Sequence, residues 1–411
     1  MKKINLIIVF ALLFFTLQAQ TAIDFRFPAA AGFDYCFVLE RGGVRDTVAR
    51  GSFDAAGKAQ TLLPPDKASY RGVGKLFLTG AKSPMVNMIL NGEINVTVSG
   101  EVNNPVYENS RENATLQRFM NRQNELLQQY IATFGDLEQS GDDDNTLSLD
   151  TKKQQIEQEY DSLSAEITAT PLYAGTIMQI LRYLTFTGSS LRQTPEDVKA
   201  ELRHFLVDKL DFTDLYVSGF WNLTFDAWYE NNLTESDSLL AADARTMLGR
   251  AGKEISRPLS QAIINVLSKY SVREYLLPEI LPDVQYPVLG QSAPAIISGS
   301  DSIAPRNALI IFYDSDCGNC LLELQNLKEQ YGLLQDNGIR VISIAADMDK
   351  DVFADTASGL PWLDKLCDFK GFEGVNFKNY GVVGTPTFIL IDQEGILRGR
   401  YAGMGEIIKK L

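Results

Sequence analysis

The chain has 411 residues, of which 45% are hydrophobic and 22% are charged, and this balance excludes a largely disordered protein. Its length exceeds what one ordinary hydrophobic core organises, so we expect two or three domains. The formal net charge of −14 at pH 7 argues against nucleic acid as a partner, because the phosphates would be repelled.

The first residues, MKKINLIIVFALLFFTLQAQTA, have the layout of a secretory signal. Two lysines precede an apolar run from Ile4 to Leu17, and the small residue Ala19 follows. The run is short for a membrane span. We therefore predict a signal peptide at 1–19 and an exported mature protein in the periplasm. An uncleaved membrane anchor is the alternative.

Residues 20–105 are predicted to form a small β-sandwich. Segments such as FDYCFVLE, GKLFLTG, VNMILNG and INVTVSG are alternating or β-branched, and Gly, Pro, Asp and Asn separate them. Several short strands at such spacing are typical of a sandwich. A tight turn at Asp54–Gly57 is expected to join two of the strands.

Residues 112–282 are predicted to form a helical domain. The segment ATLQRFMNRQNELLQQYIATF spaces its apolar residues three and four apart, and we expect about six helices of this kind. Thr194 and Thr234 are candidate N-caps, Thr194 because Pro195 follows it. The only histidine, His204, falls in a helical pattern, where a solvated or packed side chain is the simplest interpretation.

A segment rich in Pro and Gly, LPDVQYPVLGQSAPAIIS, marks the next boundary. Beyond it, strands and helices alternate in the order β-α-β, an insert, and β-β-α, with a hairpin turn at Gln393–Gly395. We predict an α/β domain at 288–411. The expected fold is therefore multidomain, with an N-terminal small β-sandwich, an α-helical middle domain and a C-terminal α/β domain.

Two cysteines of this last domain, Cys317 and Cys320, lie between the apolar run NALIIFY and an amphipathic helix. Cys317 is expected at or beside the helix N-cap, where free N–H groups and the helix dipole stabilise a thiolate. Cys320 lies about one turn further, where the helix partly shields it. We therefore predict that Cys317 attacks a substrate disulfide and that Cys320 resolves the mixed disulfide.

An inactive disulfide and a metal half-site are the alternatives for this pair. Zinc needs four ligands, and one Cys-x-x-Cys, the distant His204 and two scattered cysteines do not supply them convincingly. We predict no metal and no cofactor. The other two cysteines, Cys36 and Cys367, have apolar neighbours and are expected to be inert buried thiols. A disulfide between them is the alternative.

The order of elements, with Cys-x-x-Cys after the first strand, is the thioredoxin arrangement. The segments LGQSAPAI, CGNC and GTPTF resemble the TlpA/ResA branch of thioredoxin-like disulfide oxidoreductases. This resemblance implies a C-terminal thioredoxin-like fold in which the Thr385–Pro386 bond is cis and faces the cysteines. It also implies that the backbone of Thr385 binds the substrate chain. An ordinary trans turn proline is the alternative.

The same resemblance implies a proton acceptor at Glu323, six residues after Cys317. On a helix, Glu323 lies three residues past Cys320 and can share its face. Partial burial would raise the pKa of this carboxyl toward a range useful for proton exchange. A surface carboxylate is the alternative.

The whole layout resembles exported proteins of Bacteroidetes-type bacteria that combine a signal peptide, a β-domain, a helical segment and a thioredoxin-like domain. This implies a periplasmic reductase that acts on protein thiols and disulfides of the cell envelope. A membrane thiol donor of the DsbD/CcdA type would recharge it. The alternative is an envelope binding or scaffold protein with a redox-inactive thioredoxin-like domain, since the β and helical regions show no catalytic pattern.

The sequence departs from the family pattern beside the first cysteine. Asp316 stands where the family commonly has Trp, with Asp314 nearby, and Gly-Asn separates the cysteines in place of Gly-Pro or Glu-Pro. A carboxylate beside a thiolate raises the thiol pKa. Asp316 is therefore expected to offset part of the helix effect and to make the pair poorly oxidising.

Overall fold

The computed structural model describes residues 21–410, apart from 82, 93–94, 102–103, 140–142, 270–272, 283–286 and 288. The predicted signal peptide at 1–19 lies outside the described residues. Within them, strands come first, helices follow, and an α/β region ends the chain, which confirms the predicted fold class. None of the helices described is long and apolar enough to cross a bilayer.

The N-terminal β region is a sandwich of two four-stranded sheets. Its strands are β1 (Ala22–Arg26), β2 (Asp34–Arg41), β3 (Val44–Ser52), β4 (Lys58–Leu62), β5 (Arg71–Leu78), β6 (Val86–Asn91), β7 (Asn95–Glu101) and β8 (Asn104–Glu108). The sheet orders are β4-β1-β7-β8 and β3-β2-β5-β6. Strands β1 and β7 are parallel, and the other neighbours are antiparallel. Strand β8 continues this region slightly beyond 105.

Apolar side chains from both sheets fill the sandwich. Phe25 on β1 and Phe37 on β2 are fully buried, and their ring centroids are 6.0 Å apart. The predicted turn at Asp54–Gly57 joins β3 to β4, and the Asp54 carboxylate accepts hydrogen bonds from two backbone N–H groups at 2.8 Å. Because β3 and β4 belong to different sheets, this turn crosses between the layers and does not form a hairpin.

A Gly-Gly turn closes the hairpin of β2 and β3. Gly42 and Gly43 have φ angles of +59° and +82°, the left-handed region that a tight hairpin turn needs. The Gly42 N–H donates to the carbonyl of Tyr216 at 2.6 Å. A Cβ atom on Gly42 would lie 2.1 Å from the Tyr216 ring, so the absence of a side chain permits the approach. The hairpin tip is thereby fixed to the helical region.

The described residues of the middle region form nine α-helices. These are α1 (Arg111–Gln139), α2 (Asp143–Ala169), α3 (Tyr173–Leu184), α4 (Pro195–His204), α5 (Phe212–Tyr216), α6 (Trp221–Asn231), α7 (Asp237–Arg250), α8 (Lys253–Lys269) and α9 (Leu277–Ile280). One core lies between α1, α2 and α3, and a larger one gathers α3 to α9 around Trp228 and Leu259. Several of these helices are too short to show a clear apolar period, so the sequence pattern indicated only about six.

Of the two predicted helix N-caps, Thr194 is confirmed and Thr234 is wrong. The Thr194 side chain accepts from the Asp197 N–H, and the Asp197 carboxylate accepts from the Thr194 N–H, which makes a capping box. Thr234 does not cap α7. Ser236 does so, by accepting from the Leu239 N–H. His204 is exposed and pairs with Asp208 at 2.8 Å, in agreement with the solvated interpretation.

The C-terminal region is built on one mixed five-stranded sheet. Its elements are β9 (Ile296–Ser298), β10 (Asp301–Ile303), β11 (Ala308–Tyr313), α10 (Gly318–Asp336), β12 (Arg340–Ala345), α11 (Lys350–Ser358), β13 (Asp364–Cys367), α12 (Val375–Asn379), β14 (Thr387–Ile391), β15 (Leu397–Tyr401) and α13 (Met404–Ile407). The sheet order is β13-β12-β11-β14-β15. β11, β12 and β13 are parallel, whereas β14 and β15 form the predicted hairpin.

Central strand β11 is buried at every position, as its continuous apolar sequence predicts. Its alternate side chains enter two cores, one under α10 and α13 and the other on the face of α12. The predicted insert contains α11, the edge strand β13 and α12. Cys367 ends that edge strand, in register with Ala345 and Tyr313.

We predict that Ser236→Ala lowers the free energy of unfolding by about 1 kcal/mol, because α7 loses its cap. Thr234→Ala should change it by less than about 0.5 kcal/mol, because Thr234 is exposed and does not cap α7. Urea denaturation followed by circular dichroism measures both changes. An equal loss in the two variants would contradict the assignment of the cap to Ser236.

Candidate active site

The end of β11 leads into the Cys-x-x-Cys segment. After Tyr313 the chain turns so that the Cys317 N–H donates to the carbonyl of Asp314 at 3.2 Å. Ser315 is held by the buried carboxylate of Asp347, which accepts from the Ser315 N–H at 2.9 Å and from its hydroxyl at 2.8 Å. Asp347 follows β12, the neighbouring parallel strand. Two adjacent strand ends therefore fix the loop that carries the first cysteine.

Cys317 is the N-cap of α10, as predicted. Its sulfur accepts a hydrogen bond from the backbone N–H of Cys320 at 3.3 Å, and the side chain is half-buried. The pKa of Cys317 is lowered to about 7, first by hydrogen bonding with the Cys320 side chain and then by backbone N–H groups of α10. Burial opposes this shift. A substantial fraction of Cys317 is therefore thiolate near neutral pH.

Cys320 lies one turn further and is completely buried. Burial raises its pKa far above the usual range, and the hydrogen bond with Cys317 raises it further. Hydrogen bonding from the Thr385 side chain acts in the opposite direction. The two cysteines are thus unequal in the way that attack by Cys317 and resolution by Cys320 require.

The carboxylate that opposes the Cys317 thiolate is Asp314. This residue is half-buried and raises the pKa of Cys317. Its own pKa is raised by burial and by the nearby charges of Asp347 and Asp316. Asp316, to which the sequence analysis assigned the main effect, is exposed, and its backbone N–H donates to Asp314 at 2.9 Å. The Cys317 pKa is lowered overall, so the carboxylate offsets only part of the helix effect.

The Thr385–Pro386 peptide bond is cis, as the resemblance implied. Pro386 is buried and Thr385 is half-buried, at the start of β14 beside the central strand β11. The hydroxyl of Thr387 donates to the carbonyl of Gly384 at 2.9 Å and ties the loop to its own strand. Since the Thr385 side chain bonds to Cys320, the loop and the cysteine pair form one site.

Glu323 occupies the next turn of α10 and is half-buried. Its carboxylate accepts from the backbone N–H of Met404, at the start of α13, at 2.8 Å. It also accepts from the Asn326 side chain at 3.2 Å. The carboxylate therefore joins α10 to the N-terminus of α13, a contact that the sequence analysis did not predict because it depends on residues far apart in the chain.

The remaining cysteines are free thiols on strands of different domains. Cys36 is half-buried on β2. The Cys367 thiol donates to the carbonyl of Asp347 at 3.2 Å, and burial raises its pKa to about 11. At neutral pH Cys367 is therefore protonated, which agrees with the prediction of an inert thiol, although both side chains are half-buried and not buried.

Residues of the other two domains also contact the site, which no pattern in the sequence indicated. Gln261 on α8 lies against Gly384, directly before the cis bond, because a Cβ atom on Gly384 would be 2.7 Å from the Gln261 Cγ. Tyr216 on α5 is near enough to Cys317 for a thiolate there to raise the tyrosine pKa, although burial is the larger cause. Strand β3 lies beside α10.

We predict that alkylation of Cys317 by iodoacetamide rises through a midpoint near pH 7, since the thiolate is the reacting form and its pKa is about 7. Asp314→Asn removes the opposing charge, so the midpoint should fall and the rate at pH 6 should increase several-fold. Mass spectrometry of the Cys317 peptide measures these rates.

Asp316→Asn is the matched control for that experiment, because it removes a carboxylate that is exposed. Its midpoint should move less than that of Asp314→Asn. A larger change in Asp316→Asn would contradict the assignment of the opposing charge to Asp314.

The comparisons with known proteins concern mainly the C-terminal region. A family model described as a thioredoxin-like domain matches residues 304–406. No curated protein matches the chain. Three solved structures that resemble it come from Bacteroides species.

The first is the thioredoxin domain of a thiol-disulfide oxidoreductase from Bacteroides vulgatus, with 22% identity over 30% of this chain and 96% of that one, at a TM-score of 0.27. The second is a thiol-disulfide oxidoreductase from Bacteroides fragilis, with 24% identity over 29% of this chain and 100% of that one, at a TM-score of 0.25. The third is a thioredoxin-like protein from Bacteroides caccae, with 16% identity over 54% of this chain and 94% of that one, at a TM-score of 0.30.

The family match covers about a quarter of the chain, and it encloses the sheet, both cysteines and the cis-proline loop. A parallel strand followed by Cys-x-x-Cys at a helix N-terminus is the arrangement of that family. The C-terminal region of this chain is a thioredoxin-like domain.

Proposed function

We propose that the chain is an exported thiol-disulfide oxidoreductase that reduces disulfides through Cys317 and Cys320. One observation carries this proposal: the Cys317 sulfur caps α10 and has a pKa lowered to about 7. It lies in one site with the buried Cys320 and the cis Thr385–Pro386 loop. A nucleophile that is partly ionised, with a shielded second thiol one turn away, is what disulfide exchange requires.

The reaction proceeds through two exchanges at sulfur. The Cys317 thiolate attacks one sulfur of the substrate disulfide and forms a mixed disulfide, and the other substrate sulfur leaves as a thiolate that takes up a proton. Cys320 then loses its proton and attacks the Cys317 sulfur. The second substrate sulfur leaves as a thiolate and is protonated in turn. The substrate gains two electrons and two protons, and Cys317 and Cys320 become a disulfide.

The Cys317 pKa supports a reducing role. A strongly acidic nucleophilic thiol, with a pKa near 3.5, stabilises the reduced form and makes a strong oxidant. A pKa of about 7 stabilises the thiolate much less, as in thioredoxin, whose potential is near −270 mV. The charge of Asp314 contributes to this moderate value by raising the pKa. The pair is accordingly expected to donate electrons and to be poorly oxidising.

Repeated turnover needs a supply of electrons, because each cycle leaves a Cys317–Cys320 disulfide. The signal-like sequence at 1–19 supports the periplasm as the compartment, with envelope protein disulfides as substrates and protein thiols as products. A membrane thiol donor of the DsbD/CcdA type would restore the dithiol there. The lowered pKa of Cys317 argues against the redox-inactive scaffold alternative, since a scaffold does not need an ionised thiol.

We expect Cys320→Ser to accumulate mixed disulfides between Cys317 and its substrates, because the serine cannot resolve them. A Cys317→Ser variant should trap none, since it lacks the attacking thiol. Non-reducing electrophoresis of an envelope extract incubated with each variant measures the adducts. Partners that denaturant alone releases from both variants would support a scaffold and contradict the proposed reaction.

Glu323 is proposed as the proton acceptor for Cys320, and Glu323→Gln tests this role. The glutamine keeps an oxygen that can accept from the Met404 N–H, so the structural contact persists while the base is lost. The rate of mixed-disulfide resolution at pH 7 should fall by about tenfold or more, with an altered pH profile and an unchanged melting temperature. An unchanged pH profile would restrict Glu323 to its structural contact with α13.

A further inference from the structure

The cis-proline loop is in contact with the helical region directly before the cis bond. Gln261 on α8 touches Gly384, with its Oε1 only 3.0 Å from where a Cβ atom would lie. Val383, one residue earlier, packs against the helical core. A substrate chain that pairs with an extended backbone lies about 4.8 Å from it. The Gln261 side chain lies closer to Gly384 than that.

Helix α8 contacts the thioredoxin-like domain at a second point. The guanidinium of Arg257 lies 4.4 Å from the centre of the Phe372 ring and 3.8 Å from the carboxylate of Glu373. Both ionic side chains are at least half exposed, so the ion pair is weak and can be opened. Because α8 belongs to the core of the helical region, it can leave the thioredoxin-like domain only together with that region, and the Arg257 contacts are the exposed part of this interface.

Only one of the two polar atoms of the Gln261 side chain has a hydrogen-bond partner among the described residues. Its Nε2 donates to the Asn265 side chain, whereas its Oε1 is buried and has no hydrogen-bond partner among the described residues. A buried acceptor without a partner is less stable than a solvated one, because it has lost its hydrogen bonds to water. The contact of α8 with the loop therefore keeps this oxygen away from water, and separation of the two would let water donate a hydrogen bond to it.

The space that remains at this interface is small. A cleft of about 180 Å³ lies between α6 and α8 on one side and the loop from β15 to α13 on the other, lined by Asn222, Asn265, Ala402 and their neighbours. Pockets that hold drug-sized ligands usually have 300–1,000 Å³. Tyr216 and the Gly42 turn also lie next to each other, and Tyr216 is close to Cys317.

We propose that α8 is a substrate gate for the cysteine pair: with Gln261 against Gly384, the chain exchanges disulfides with small molecules, and a folded protein disulfide reacts only after the helical region that carries α8 moves away from the loop. The proposal rests on the proposed function, because it concerns the substrates of the same reaction. A half-buried Cys317 remains within reach of a small disulfide while the loop is covered. The rate with proteins is then scaled by the fraction of molecules in which the loop is free.

The experiment uses the full chain in its reduced form with two oxidants, hydroxyethyl disulfide and insulin. Arg257→Glu removes the ion pair and the ring contact and places a negative charge beside Glu373. The rate with insulin should rise about fivefold or more, and the rate with hydroxyethyl disulfide should stay within about twofold of the unmodified chain. The double variant Arg257→Glu with Glu373→Arg should return the insulin rate toward its original value.

Arg245→Glu is the matched control, because it breaks an exposed ion pair with Glu279 inside the helical region and leaves the interface intact. It should change neither rate.

Gln261→Trp is a second way to open the interface, since a larger side chain has no room against Gly384. It should also accelerate insulin reduction. The proposal of a gate is wrong if neither Arg257→Glu nor Gln261→Trp accelerates insulin reduction. It is also wrong if Arg257→Glu raises the rates with both oxidants equally. If no variant reacts with either oxidant, the proposed function itself fails.

Discussion

The hydrogen bond from the first turn of α10 to the Cys317 sulfur is the interaction on which the chemistry of this chain depends. The donor exists because a helix leaves its first N–H groups without intrahelical partners. The acceptor is in place because β11 ends directly before the cysteine, and because Asp347 holds Ser315 in the connecting loop. A shift of the cysteine by one residue along α10 would put the sulfur on the side of the helix, where those N–H groups cannot reach it.

Burial acts on the two sulfurs in the same direction but with different results. It raises the pKa of both thiols, since a thiolate is poorly solvated away from water. At Cys317 the hydrogen bond with Cys320 and the helix N–H groups outweigh this effect, whereas at the fully buried Cys320 the hydrogen bond with Cys317 adds to it. The inequality between the pKa values of Cys317 and Cys320 therefore follows from their positions on one helix turn, with Asp314 moderating the acidity of Cys317.

The N-terminal domains are physically part of the environment of this site. The Gly42 turn is bonded to Tyr216, and α8 lies on the cis-proline loop through Gln261. The long chain that precedes the thioredoxin-like domain thus brings side chains to the cysteine pair and to the cis-proline loop. A further contact between the two regions, the ion pair of Arg257 with Glu373, is partly exposed.

The sequence by itself determined the elements that depend on local physics. The apolar run of β11, the position of Cys317 at the helix N-cap and the N-cap at Thr194 follow from neighbouring residues, and all were predicted. The cis bond before Pro386 was implied by the resemblance. Thr234 was wrong because Ser236 offers an equally good cap two residues later, and spacing alone does not choose between them.

Only the tertiary structure decided which groups act on those elements from a distance. Asp347 reaches Ser315 from the next strand, and Asp314 is half-buried while Asp316 is exposed, although both shortly precede the same cysteine. Met404 bonds to Glu323 across 81 residues of sequence, and Gln261 meets Gly384 from another domain. Such contacts depend on how sheets and helices pack against each other, and side-chain periodicity along the chain carries no information about that packing.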